Sequence, residues 1–244
     1  MHVLITGASG KLGKALLTSP KIKSKTCFSP SHAEMDITVQ KSVKQYFDSH
    51  QIDAVIHCAA MTNMPECEKN PPGAMNVNMI GTFHLVQEAA KTPNMRFIYV
   101  STDYVYPCVA GPYKESDTVS PFNVYAQSKF AGEDVVRNIP NYCIVRTSFF
   151  NPKNIPFDIA PTDAFCSKIP VEELAEGTLR LLDGNFVGVV NVGQERISFY
   201  DLYKRYKPSI QPTTLEEMSR NLPIKRAKDS SLDVNLWKRI RGGS

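Results

Sequence analysis

The sequence predicts an α/β fold: a doubly wound parallel sheet with a small C-terminal lobe. Three observations predict it. Short apolar runs alternate with helical patterns from residue 2 to residue 146. The runs are almost wholly apolar, as strands covered on both faces are. The residues out of character with such strands, Gly7, Ala59, Ser101 and Arg146, all fall at the ends of the runs. Right-handed crossovers gather those ends on one edge, where open sheets bind ligands.

Residues 2–6 form the first strand, 7–13 a glycine-rich turn and 11–17 a helix. Residues 25–28 are a weak second strand. Residues 39–50 carry the stripe Val39, Val43, Tyr46 and Phe47, a helical period. Residues 53–58 are a strand, followed by Ala59 and Ala60. Residues 73–91, behind Pro71-Pro72, make the longest helical pattern. A strand at 96–100, a helix at 124–137 and a strand at 142–146 complete the alternation. Residues 151–170, rich in Pro, Asn and Asp, read as loop. Residues 171–182 form a helix and 187–192 a strand returning to the main sheet. Short helices are expected at 198–206, 214–221 and 233–240, and Gly242-Gly243-Ser244 reads as a frayed end.

Composition bounds the function. The chain has 244 residues, 42% hydrophobic and 21% charged, the profile of a soluble globular protein. No apolar run is long enough for a membrane span, and the N-terminus has no signal-peptide pattern, so a cytoplasmic protein is expected. A net charge of +4 is too mild for a nucleic-acid binder, and Lys238-Arg239-Ile240-Arg241 reads as a solvated face. The six cysteines include no Cys-x-x-Cys pair and the five histidines no ligand spacing, so no metal is expected. Glu66 and Glu68 read as negative charge preceding a helix. The helices at 73–91 and 124–137 are available to pack a homodimer.

The turn Thr6-Gly7-Ala8-Ser9-Gly10-Lys11-Leu12-Gly13 links a strand to a helix. That context turns a weak glycine pattern into a dinucleotide fingerprint, because backbone can approach a pyrophosphate and the helix N-terminus offers free N–H groups. The expected organisation is therefore a Rossmann domain over 1–148, with 171–193 returning to its sheet, and a substrate lobe over 149–244. After the second strand stands Ser29-Pro30-Ser31-His32, with no acid to hold the ribose hydroxyls of NAD, so NADP is preferred and NAD remains acceptable. Asp36 and Ile37 border the adenine in this reading.

Tyr125 and Lys129 share a helix face. The bare Tyr-x-x-x-Lys spacing is not diagnostic, since Tyr200/Lys204 and Tyr203/Lys207 match it too. Tyr125 differs in following a strand-end hydroxyl pair, Ser101-Thr102, in a chain that already has a nucleotide turn. Lys129 is expected to lower the Tyr125 pKa, Tyr125 to protonate a carbonyl oxygen and Thr102 to hold that oxygen. Asp103 contacts substrate hydroxyls or caps local backbone. Asn78, a polar residue in an apolar helix, is expected to hold a neighbouring strand.

These segments, with Asp36-Ile37-Thr38, His57-Cys58-Ala59-Ala60-Met61-Thr62, Val77-Asn78, Tyr104-Val105-Tyr106, Pro121-Phe122-Asn123, Ser128-Lys129-Phe130-Ala131-Gly132-Glu133 and Arg146-Thr147-Ser148-Phe149, resemble the extended short-chain dehydrogenase/reductases, and within them the dTDP-4-dehydrorhamnose reductase family. The resemblance covers about the first 150 residues. It implies NAD(P)H-dependent reduction of the 4-keto group of a nucleotide-linked 4-keto-6-deoxysugar, as in dTDP-rhamnose and related carbohydrate biosynthesis. It implies Thr102, Tyr125 and Lys129 as the catalytic set. The cofactor set is Gly7, Ser9, Gly10, Lys11, Leu12, Gly13, Asp36, Ile37, Cys58, Ala59, Ala60, Thr62 and Ser101, with Tyr125 and Lys129. The substrate set is Thr102, Asp103, Tyr104, Tyr125, Phe149 and Arg226. The chain departs from the family after Phe149, where tryptophan is usual. The family's Asp-Gln-x-Gly-x-Pro-Thr motif is reduced here to Asp163-Ala164-Phe165-Cys166-Ser167-Lys168, and its Arg-Pro-x-Asn-Ser-x-Leu stretch is matched only in part at 226–233. The shortened lobe keeps two alternatives beside the reductase: a non-catalytic NAD(P)-binding regulatory subunit, and another nucleotide-sugar epimerase or dehydratase.

Overall fold

The computed structural model describes residues 1–220 and 226–242. Strand β1 (His2–Thr6) leads into α1 (Lys11–Thr18), followed by β2 (Thr26–Phe28), α2 (Gln40–Ser49) and β3 (Ala54–His57). Next come α3 (Met64–Lys69), α4 (Pro71–Met75), a π-helical turn (Asn76–Ile80) and α5 (Gly81–Ala89), then β4 (Arg96–Val100) and α6 (Val124–Val136). After β5 (Tyr142–Thr147) lie β6 (Phe149–Phe150), β7 (Ile159–Pro161), β8 (Phe165–Cys166), β9 (Ile169–Pro170), α7 (Val171–Asp183) and β10 (Gly188–Val192). The chain continues through β11 (Ile197–Ser198), α8 (Phe199–Lys204), β12 (Gln211–Thr213), α9 (Leu215–Ser219) and α10 (Asn235–Gly242).

Six strands form one sheet in the order β10-β5-β4-β3-β1-β2, every pairing parallel. Side chains alternate along each strand, so each strand supplies two cores. Val3, Ile5, Ile56, Ile98 and Val145 pack with Leu12 and Leu16 of α1 and Leu174 and Leu179 of α7. Leu4, Val55, Phe97 and Ile144 face the other way onto Val43, Leu85 and Val136 of α2, α5 and α6. The order of strand addition reverses at β1, with β2 on one side and β3 on the other, and the crevice opens at that switch point. As expected from its sequence, β10 rejoins the sheet beside β5.

Two expectations need correction. Residues 151–170 are not plain loop: β7 pairs with β12, β8 with β11 and β9 with β6. These ribbons frame a third core of Phe150, Ala160, Cys166, Leu202, Tyr203 and Ile210. Glu66 and Glu68 lie on α3 itself, which Asn63 starts by accepting from the Glu66 amide at 3.1 Å. The helix expected at 214–221 runs over Leu215–Ser219, and its last expected residue lies outside the described residues.

Residues 228–233 run as a strap across the strand ends. The amides of Lys228 and Asp229 donate to the Cys108 carbonyl, Tyr113 donates to the Ser231 carbonyl, and Asp233 donates to the Tyr113 carbonyl. Arg196 donates to Asp229 at 2.9 Å, closing the strap onto the small lobe.

Candidate active site

Gly7 ends β1 with φ +67°, a conformation few L-residues adopt. A Cβ there would lie 2.6 Å from the Ala59 amide nitrogen, so the turn is pressed against the end of β3. A Cβ on Gly13 would lie 2.5 Å from the Gly7 carbonyl. Gly10 places no side-chain cap on α1, leaving its first amides open to a ligand.

A buried polar chain holds this edge. Thr82 Oγ1 donates to the Asn78 carbonyl at 2.7 Å, so it must accept from His57 Nε2 at 2.9 Å. His57 Nδ1 then accepts from Thr6 Oγ1 at 2.6 Å, and Thr6 Oγ1 accepts from the Ala59 amide. Burial, helped by the Lys129 charge, holds His57 well below the usual histidine range, so it serves as a neutral spacer. Asn78, at the π-helical turn, bonds both backbone groups of Met61 and donates to Ser128 Oγ at 2.8 Å. The expected tie to a strand is thus a tie to the loop after β3 and to α6.

The reacting end combines β4 and α6. Asn123 caps α6 by accepting from the Ala126 amide at 2.7 Å, and Glu68 accepts from the Val124 amide at 2.9 Å. Tyr125 is therefore fixed in the first turn, with Lys129 one turn later on the same wall of the cleft. Lys129 Nζ sits 4.0 Å from the centroid of the Tyr99 ring. Thr102 Oγ1 donates to Asp103 Oδ1 at 3.2 Å and accepts from the Tyr104 amide.

Behind this edge Ser101 Oγ donates to Glu133 Oε1 at 2.6 Å. Arg146 grips both Glu133 oxygens, at 3.0 and 2.7 Å, and donates to Tyr106 Oη at 2.9 Å. Tyr106 Oη donates to Asn191 Oδ1, and Asn191 reaches the carbonyls of Tyr113 and Asp233. Burial works against the Arg146 charge, but the Glu133 bonds outweigh it and keep its pKa above the usual arginine value.

Burial lowers the Lys129 pKa to about 7, opposed by nearby Cys58 and Glu133. Cys58 is itself pushed up to about 12 by burial and is a neutral thiol at neutral pH, so Glu133 is the effective counter-charge. Burial raises the Tyr125 pKa while the polar Thr102 hydroxyl beside it pulls it down. This corrects the sequence expectation: Tyr125 is a firmly protonated phenol, and its desolvation outweighs any lowering by neighbours. Asp103, with its carboxyl buried, is raised to about 6, opposed by the Lys168 charge and by the hydrogen bond from Thr102.

A cleft of about 720 Å³ runs between these ends, within the range of ligand sites. It is lined by every site residue expected from the sequence except Arg226. Arg226 is exposed on the approach to the strap and does not line the cleft, but its charge reaches Tyr104, which does. The wall also includes His32, Thr147, Ser148 and Lys168, which sequence reasoning did not select. The signal for Lys168 was present, as a lysine in the altered Asp163–Lys168 segment. Thr147 Oγ1, buried in the wall, has no hydrogen-bond partner among the described residues.

The family model described as the RmlD substrate binding domain matches residues 1–154. The spore coat polysaccharide biosynthesis protein SpsK of Bacillus subtilis is 34% identical over 149 residues, which cover 60% of this chain and 52% of that protein. The matched stretch thus spans about half the length of that relative. A dTDP-4-dehydrorhamnose reductase of Mycobacterium tuberculosis is 35% identical over 267 residues, covering 97% of this chain and 86% of its own. Among solved structures, the dTDP-4-dehydrorhamnose reductase of Bacillus anthracis in complex with NADP superposes with a TM-score of 0.87 at 26% identity, covering 99% of this chain and 92% of that one.

Proposed function

The chain belongs to the RmlD substrate-binding-domain family, and from that premise we propose that it is an NADPH-dependent oxidoreductase that reduces the 4-keto group of a nucleotide-linked 4-keto-6-deoxysugar. The observation that carries the reading is the meeting of Thr102, Tyr125 and Lys129 at one end of a cleft whose other end is the Gly7 turn. The relatives named dTDP-4-dehydrorhamnose reductase support the substrate class.

The residues present fit a dinucleotide. The glycine turn would close on any added Cβ, α1 has no side-chain cap, and Thr147 Oγ1 awaits a partner. Gly7 to Gly13 would hold the pyrophosphate, Asp36 and Ile37 the adenosine end, and Cys58 to Thr62 with Ser101 the far ribose. When bound, the dinucleotide supplies the hydride. No acid follows β2 directly, which favours NADPH, with NADH an acceptable second.

Thr102 Oγ1 and the Tyr125 hydroxyl bind the substrate carbonyl oxygen. Tyr125 gives that oxygen its proton as negative charge builds on it, a contribution of about 10²–10⁴ in rate. Because Tyr125 begins fully protonated, Lys129 acts on the product side of the transfer, its protonated form, half-populated near pH 7, stabilising the tyrosinate left behind. Phe149 borders the sugar. The reading also assigns the enzyme to the cytoplasm, in keeping with its free cysteines, and to a homodimer through the α5 and α6 faces, where Phe83 is exposed.

The test is NADPH oxidation with a panel of nucleotide-4-keto-6-deoxysugars, run beside a direct measurement of NADPH binding. Turnover on at least one is expected. A protein that binds NADPH and reduces none of them is not this reductase.

A further inference from the structure

Lys168 belongs to the segment where the chain departs from its family's pattern, and the structure brings it to the reacting end of the cleft. Its backbone is fixed from both sides. The carbonyl of Ser167, before it, accepts from the Gln194 amide at 3.0 Å. The next residue, Ile169, donates to the Ser148 carbonyl at 3.0 Å, and β9 pairs with β6 in the register Phe149↔Ile169. The side chain is half-buried, and Nζ donates to Ser148 Oγ at 2.8 Å. That is its one hydrogen bond among the described residues, and an ammonium carries three donors. The Lys168 charge also reaches the buried Asp103 carboxyl, the neighbour of Thr102, which sets Lys168 at the carbonyl end and not at the Gly7 end.

We propose that Lys168 is a substrate-binding, specificity-determining residue that donates to the hydroxyl on the ring carbon beside the reacting carbonyl. This rests on the reductase reading above. The carbonyl oxygen is taken by Thr102 and Tyr125. In a 4-keto-6-deoxysugar one flanking carbon bears the methyl group and the ring oxygen, and the other bears the 3-hydroxyl. The 3-hydroxyl is therefore the nearest free acceptor for a cation held beside Ser148 and Phe149. A hydrogen bond from a charged donor to a neutral acceptor is worth at least about tenfold in affinity.

The experiment titrates the NADPH-loaded protein calorimetrically with dTDP-rhamnose, the reduced sugar, and with its 3-deoxy analogue. Wild type, Lys168→Met and Lys168→Arg are compared, and the NADPH Kd of each is measured by fluorescence. Lys168→Met should bind dTDP-rhamnose about tenfold more weakly, with an unchanged NADPH Kd that also reports an intact fold. The 3-deoxy analogue should bind wild type about tenfold more weakly than dTDP-rhamnose does, yet lose nothing further in Lys168→Met. Lys168→Arg should recover part of the affinity. Equal binding of both sugars by wild type and Lys168→Met overturns the assignment, as does a loss confined to NADPH, which would put Lys168 against the cofactor. Tight binding of the reduced sugar without turnover of any keto-sugar overturns the reductase reading and leaves the Lys168 contact standing. Absence of any sugar binding by wild type overturns both.

Discussion

Tyr125→Phe removes one hydroxyl from the centre of the site and should lower kcat by about 10²–10⁴ while the NADPH Kd, read by fluorescence, holds. A variant retaining wild-type turnover would remove Tyr125 as the proton donor. Lys129 gives a prediction of opposite sign for stability. Its pKa falls from the ordinary value to about 7 in the folded protein, so between pH 7 and about 10 the unfolded chain binds the proton that the native state releases. The penalty is complete below pH 7 and fades as pH rises toward 10. Lys129→Met should therefore be more stable to urea than wild type near pH 7, on the order of 1–3 kcal/mol, with the gap closing by pH 10. A gap that widens with pH would contradict a desolvated lysine. Thr102, Tyr125 and Lys129 were legible in the sequence because helical spacing and a strand end fix them locally. Lys168 was not, because its place depends on β9 finding β6.

At the scale of elements, the Glu133–Arg146 pair fastens α6 to β5, with Ser101 attached from the end of β4. Glu133 is fully buried and Arg146 is 2% exposed, so removing one partner strands a charge away from water. Arg146→Met should cost about 3–5 kcal/mol in urea unfolding, whereas the double substitution Glu133→Met with Arg146→Met should recover much of that loss. Strict additivity of the two would mean that the pair is not coupled. The main strands were readable because an apolar run buried on both faces has few other uses. The ribbons β6–β9, β7–β12 and β8–β11 were not, because strands of two or three residues carry no period, and Pro161 and Pro170 within them read as loop. The π-helical turn at Asn78 was equally hidden: one extra residue per turn leaves the apolar stripe nearly intact, and only the buried asparagine marked it.

Across the whole molecule, the cleft joins the two ends of the chemistry, so ligand occupancy should show in global stability. NADPH at about one hundred times its Kd should add about 2.7 kcal/mol, a rise in Tm of roughly 5–10 °C for a chain of this size. Gly7→Val should abolish that rise, since its Cβ meets the Ala59 backbone and valine resists a positive φ. A full shift in Gly7→Val would place the cofactor elsewhere. The sheet and its active edge were legible in outline from alternation alone, while the layout of the lobe was not, because it is built from contacts between segments far apart in sequence. The strap at 228–233 carries a further consequence. Its Lys228 and Asp229 amides hold the Cys108 carbonyl, and Cys108 Sγ donates to the Asp103 carbonyl beside Thr102, so this edge is finished by residues that leave the ribosome long after it. A nascent chain can therefore complete its parallel sheet and still lack a finished cleft edge until the strap has docked on the Cys108 and Tyr113 backbone.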